Sequence, residues 1–296
     1  MPDLFDRYRV IDVDSHVSEP ADLWTSRVAK KWGDKVPHTR IDPASGKEQW
    51  VVGGQPLMHV GMTAIAGFDG TLPDCPTTLA DCPPGAYDPH ARLAYLDGEG
   101  IHGQVLYPNV GGFGSGWFLK LGEPELMLEC VRAYNDFIVE WASADPTRLV
   151  PIMATPFWDV DASVREIERC AARGVRGVLF GSQPQDFGEP PLTSPHWDPI
   201  FAAAQDAGLP ISFHIGSGDR WDFEATKDIG IRAQFARLGA NAFLDNQRCI
   251  SDIVFGGICL NAGASFLQYL FHKPHEAGFC ALFDHAFQFK FGDFGL

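Results

Sequence analysis

YRVIDVDSH, residues 8–16, is a mostly apolar run that turns polar at its C-terminal end. Tyr8–Val13 carries apolar residues on both faces, as a parallel strand covered by helices on each side must, and it predicts the first strand of an α/β fold. Four more such runs follow, separated by enough chain for a crossover helix: Gly103–Tyr107, Leu149–Ala154, Val175–Phe180 and Leu209–His214. The last enters through Pro210, which sits naturally at a strand start. Amphipathic stretches fill the gaps. In Pro124–Ala144, Met127, Cys130, Val131, Tyr134, Phe137, Ile138 and Trp141 recur at helical spacing until Asp145-Pro146 ends the run. Asp161–Arg173 stops at Gly174, suited to the left-handed cap after a helix, and Asp198–Asp206 stops at Gly208. This alternation predicts βαβ units around a parallel sheet.

Between Ser18 and Ala91 the pattern gives way to a long segment rich in Gly, Pro and Asp, with one weak hairpin signal at EQWVVGGQPLMHV, residues 48–60. Segments of this length are usually functional caps or disordered, and this one reads as an insertion after the first strand. The 296 residues are 45% hydrophobic and 21% charged, a composition that packs and excludes a disordered chain. Lys plus Arg number 23 against 38 for Asp plus Glu, and the resulting charge of -15 repels phosphate backbones and anionic lipid. Nucleic-acid and membrane partners are not expected. The start, MPDLFDRYRVIDVD, holds no apolar stretch behind a basic region, and no run approaches the roughly 18 apolar residues of a membrane span, so a cytoplasmic location is expected. The cysteines (Cys75, Cys82, Cys130, Cys170, Cys249, Cys259 and Cys280) are odd in number and widely spaced, which predicts reduced thiols. Cys75 and Cys82 lie close, but a zinc ribbon would need two further partners.

The chemistry points to strand ends. Side chains alternate along a strand, so Asp14 and His16 leave the first strand on the same side and both can reach one cation. His214 closes the fifth strand in the same manner, after ISF and before GSGD. A carboxylate with two imidazoles suits zinc, or manganese where more oxygen ligands join. A plainer reading stands beside it, since Asp-x-His is common and a strand-terminal histidine is often a satisfied core group. Glu19 either orients a ligand histidine or caps a turn. Tyr107 and Asn109 after the second strand, and Arg220 after His214, are candidate substrate contacts; Arg220 either binds a carboxylate bidentately or pairs with Asp219 or Asp222. His196 and Asp198 flank a helix start, where capping accounts for them.

Four separated motifs resemble the amidohydrolase-2 family, which includes the aminocarboxymuconate-semialdehyde decarboxylase group: VIDVDSHVSEP (10–20), LAYLDGEGIHGQVLYPN (93–109), DPTRLVPIMATP (145–156) and HWDPIFAAAQDAGLPISFHIGSG (196–218). They occur in the family's order, and the match runs over Arg7–Cys259. The resemblance implies an α/β fold of the TIM-barrel, metal-dependent hydrolase type, with the Ser18–Ala91 insertion over the catalytic face, because barrel sites sit on loops leaving the C-terminal strand ends. It also implies a divalent metal, Zn2+ or alternatively Mn2+, held by Asp14, His16 and His214, which match the family's first-strand pair and fifth-strand histidine. The implied substrate is a small aromatic or related carboxylic acid. The implied reaction is a carboxy-lyase step or, alternatively, hydrolysis of a C–C, ester or amide bond, the cation polarising the substrate or a water. No general acid or base is assigned.

Family members continue past the helix resembling NAFLDNQRCISDIVFGGIC (241–259) into further strands, the eighth of which carries a metal-binding Asp. Residues 260–296 lack those features, and Asp284-His285 falls too early for that strand. The expected organisation is therefore a barrel portion over 1–259, incomplete at its C-terminal end, and an unrecognised tail over 260–296. An open barrel exposes sheet edges, which predicts poor solubility or homo-oligomerisation. It also keeps open two further readings: a catalytically inactive barrel fragment, and a subunit that completes a barrel in trans.

Overall fold

The computed structural model describes residues 9–65, 68–70, 74–214, 216–217 and 228–255. β1 (Val10–His16) leads into α1 (Leu23–Arg27) and then into β2 (His38–Ile41), β3 (Glu48–Val52) and β4 (Gln55–His59). After these come α2 (Pro89–Glu99), β5 (Ile101–Tyr107), α3 (Pro124–Ala142), β6 (Leu149–Met153), α4 (Val160–Arg173), β7 (Gly177–Phe180), α5 (Asp198–Asp206), β8 (Ile211–Phe213) and α6 (Ile231–Phe255). The five strands expected from the sequence are all present, with ends displaced by a few residues. They form one parallel sheet in the order β1-β5-β6-β7-β8.

The sheet is curled. Strands at the two ends of a flat five-stranded sheet would stand roughly 19 Å apart at the usual inter-strand spacing. Asp14 in β1 and His214 just past β8 instead lie 3.0 Å apart. The hydroxyl of Tyr107, in β5, likewise reaches 2.8 Å from Ser212 Oγ in β8. This is the curvature of a barrel wall, with helices outside it.

Local chemistry sets the helix ends. Asp88 caps α2 by accepting from the Ala91 N–H at 2.7 Å, and Asp159 caps α4 by accepting from Ala162 at 2.8 Å. Gly100 and Gly174 follow these helices with φ of 71° and 99°, a conformation that glycine adopts without a Cβ penalty.

The described residues between Ser18 and Ala91 pack against the rest of the fold. The insertion's three strands make an antiparallel sheet in the order β2-β3-β4. The hairpin signal at 48–60 corresponds to β3 and β4; β2 gave no signal because His38, Thr39 and Arg40 are polar and its outer half is exposed. Trp24 of α1 meets Trp50 of β3 edge to face at 5.4 Å and donates its indole N–H to the Cys130 carbonyl in α3 at 3.0 Å. Both tryptophans are fully buried in a cluster with Phe118, Leu126 and Ile138, so apolar burial ties the insertion to the barrel's outer helix.

Asn135 of α3 grips the end of β6: its Oδ1 accepts from the Ala154 N–H at 2.8 Å, and its Nδ2 donates to the Ala154 carbonyl at 3.1 Å and to Glu166 of α4 at 2.8 Å. Glu166 is itself buried and held by Arg169. Asn135→Ala would strand several buried polar groups at once, and a loss of about 2 kcal/mol is expected. Urea denaturation measures it, and a change below about 0.5 kcal/mol, the scale of an ordinary surface substitution, would contradict it.

Cys75, Cys82, Cys130, Cys170 and Cys249 are buried free thiols; Cys259 and Cys280 lie outside the described residues. Among the described residues no helix is long and apolar enough to cross a membrane. The expected departures over 260–296, including Asp284-His285, also lie outside the described residues.

Candidate metal centre

Two strand ends from opposite edges of the sheet converge on one point. Asp14 Oδ1 is 3.0 Å from His214 Nε2, His214 Nε2 is 3.2 Å from His16 Nε2, and His16 Nε2 is 3.6 Å from Asp14 Oδ1. Among the described residues this is the one group of three or more His, Cys, Asp or Glu whose donor atoms all lie within 4.8 Å of one another. Asp14 and His16 are brought together by the two-residue period of β1, and His214 is brought to them by the curl.

Hydrogen bonding fixes which nitrogen His16 presents. Its Nδ1 lies 2.9 Å from the Pro108 carbonyl oxygen; a carbonyl only accepts, so Nδ1 carries the proton and the Nε2 lone pair faces the gap. A carboxylate and imidazole nitrogens this close need positive charge between them, as a proton or as a cation. The imidazoles of His16 and His214 hold the Asp14 carboxyl well below the usual carboxylate range. One anionic oxygen with two imidazoles is a donor set that a divalent cation takes, and a ligand histidine bonded through its other nitrogen to a backbone carbonyl is the usual support. The residues fit the metal that the resemblance implies. His214 is buried and Asp14 is exposed, so the centre opens to solvent on the Asp14 side.

Aromatic rings wall the other side. Phe113 lies 4.4 Å from the His214 ring and 4.9 Å from that of His16, and Tyr107 lies 5.0 Å from His214. Burial raises the Tyr107 hydroxyl above its ordinary range, which keeps it protonated. Gly114, next to Phe113, passes so near Gly181 and Ser217 that a Cβ there would stand 2.9 Å and 3.0 Å from them. Only glycine lets the loop after β5 slip in beside those after β7 and β8.

The floor of the site is a buried polar chain. Arg92 donates from Nη2 to the His16 carbonyl at 3.0 Å, from Nη1 to Gln104 Oε1 at 2.8 Å and from Nε to the Gly85 carbonyl. Gln104 passes the chain on to Asp12 Oδ2 at 3.0 Å, which also accepts from Ser15 Oγ at 2.5 Å.

Of the expected substrate contacts, Tyr107 borders the metal-ligand rings. Asn109 is buried, with its Nδ2 donating to the Val17 carbonyl at 2.9 Å. Arg220, Asp219 and Asp222 lie outside the described residues. Phe113 was not singled out from the sequence, although a lone aromatic inside the glycine-rich run NVGGFGSG (109–116) directly after a strand was a usable signal. Glu19 accepts two backbone N–H groups from the loop after β5, Asn109 at 2.8 Å and Val110 at 3.1 Å.

Residues 120–254 match the model of the amidohydrolase family Amidohydro_2. Among solved structures the chain is similar to an amidohydrolase from Mycobacterium avium subsp. paratuberculosis at 23% identity and a TM-score of 0.66, over 86% of this chain and 70% of that one. It is also similar to a 5-carboxyvanillate decarboxylase from Novosphingobium aromaticivorans, solved with manganese and a nitrobenzoic acid, at 18% identity and a TM-score of 0.48, over 75% of this chain and 55% of that one. No curated protein matches. The first structure carries the fold, and the family model spans two of the four motifs, those at 145–156 and 196–218.

Proposed function

We propose that this chain is a metal-dependent carboxy-lyase acting on a small aromatic carboxylic acid, with Asp14, His16 and His214 holding a Zn2+ or Mn2+ ion. The observation that carries the reading is the convergence of these three donors within 4.8 Å at the C-terminal ends of β1 and β8, the face on which barrel enzymes place their chemistry. When bound, the cation supplies a Lewis acid to hold the substrate carboxylate.

The chain's own residues then have distinct tasks. Asp14 stays anionic and His16 is locked in one tautomer by Pro108, so the donors need no rearrangement. Phe113, half-buried beside the ligands, offers a flat apolar face suited to an aromatic ring, with buried Tyr107 packed on His214. Hydrolysis needs a base with a pKa near the working pH, and Asp14, as a ligand, would be committed to the cation. Glu19 is pushed up to about 7, but one of its oxygens is committed to backbone and the residue is fully buried. Among the described residues neither Asp14 nor Glu19 is placed to serve as that base, which favours the lyase over the hydrolase.

The test incubates Mn2+-loaded protein with a panel of hydroxy- and methoxybenzoates and a parallel panel of aryl esters and anilides. Carbon dioxide release that is abolished by His214→Ala is the expected result. Ester or anilide cleavage without carbon dioxide would replace it with the hydrolase reading, and inactivity on both panels with metal bound would support the inactive-fragment reading.

A further inference from the structure

We propose that Glu19 is a positioning residue for the metal centre, acting through the loop after β5 on the orientation of His16 and Phe113. The proposal rests on the metal reading above and adds a residue that touches none of the three donors.

The geometry is a lacing between two strand exits. Past β1, the Val17 N–H donates to the Tyr107 carbonyl at 3.3 Å, and the Val17 carbonyl accepts from Asn109 Nδ2 at 2.9 Å. Past β5, the N–H groups of Asn109 and Val110 both donate to Glu19 Oε1, at 2.8 Å and 3.1 Å. Pro108, between these attachments, gives its carbonyl to His16 Nδ1 at 2.9 Å. The same loop carries Phe113 against the rings of His16 and His214. Glu19 is therefore the far anchor of the segment that sets the His16 tautomer on one side and packs a ring on the donors on the other.

Without that anchor the Asn109 and Val110 N–H groups lose their buried acceptor. The segment must move to find new partners, and the Pro108 carbonyl moves with it. Glu19 Oε2 and the Tyr134 hydroxyl are buried with no hydrogen-bond partner among the described residues. The contacts that Glu19 makes with the loop thus pass through Oε1 alone, and a glutamine, which keeps that oxygen, preserves them. Loss of groups that orient metal ligands from behind typically weakens metal binding roughly 10–100-fold.

The experiment titrates Co2+ into wild type, Glu19→Leu, Glu19→Gln and His16→Ala, following the ligand-field absorption, with Glu166→Gln as a control for destabilisation by a buried carboxylate elsewhere. Expected are Co2+ binding roughly 10–100-fold weaker with an altered spectrum in Glu19→Leu, near-wild-type affinity and spectrum in Glu19→Gln, and unchanged Co2+ binding in Glu166→Gln. Should Glu19→Leu fail to fold, Glu19→Asp, whose carboxylate is withdrawn by one methylene, makes the same comparison. Wild-type Co2+ affinity in folded Glu19→Leu or Glu19→Asp, with His16→Ala still defective, overturns the proposal and spares the metal reading. Binding that survives His16→Ala overturns the metal reading, and the proposal with it.

Discussion

Replacing His214 with alanine is expected to abolish tight divalent-metal binding and leave the fold intact. Among the described residues His214 supplies the only donor that comes from the far edge of the sheet, with Nε2 at 3.0 Å and 3.2 Å from its two partners. Asp14 and His16 alone present adjacent donors from one strand and cannot enclose an ion. The loss should exceed the roughly 10–100-fold typical of groups behind the ligands. A ligand at 100 times its dissociation constant stabilises a protein by about 2.7 kcal/mol, so Zn2+ at that ratio should raise the melting temperature of wild type and do nothing for His214→Ala. Isothermal titration with Zn2+, alongside circular dichroism, separates the two effects; equal affinity in the variant would remove His214 from the centre.

The second large effect is a dependence of stability on pH that belongs to Glu19. Burial pushes its carboxyl from 4.5 up to about 7, against the pull of the backbone N–H groups of Asn109 and Val110. Between these values the unfolded chain has released the proton and the folded chain still holds it. The unfolded state therefore binds fewer protons, and stability falls as pH rises through that window, levelling off above it. The displacement corresponds to about 3 kcal/mol. Asp14, Asp42, Asp74, Asp145 and Glu166 are shifted downward, so their contributions change at lower pH and with opposite sign. Asp252 is raised by burial and adds a slope of the same sign as Glu19. The difference between wild type and Glu19→Gln isolates the Glu19 contribution: the slope from pH 4.5 to 7 should be shallower in the variant, by about 3 kcal/mol over the window. Parallel stability curves would show that Glu19 titrates normally.

The parallel strands were legible because each is apolar on both faces and bounded by turn residues, a pattern that survives whatever packs on it. Asp14 and His16 were legible because a strand's period places alternate residues together, and His214 because it ends such a run. The curl that brings β8 back to β1 was not in any local pattern; it came from the resemblance, and in the structure it is seen in Asp14 meeting His214. β2 was missed because a short polar edge strand has no alternation to read. The partners of Asn109 and Glu19 were also hidden. Their work is done on backbone groups of distant residues, Val17 for one and Asn109 and Val110 for the other, and nothing in spacing along the chain registers such contacts.

Metal content per chain, measured by plasma mass spectrometry on protein purified from defined medium, tests the central claim most directly when wild type is run beside His16→Ala and His214→Ala. Near one equivalent of zinc or manganese in wild type, lost in both variants, is the predicted result. Substoichiometric metal that is unchanged in the two variants would contradict it.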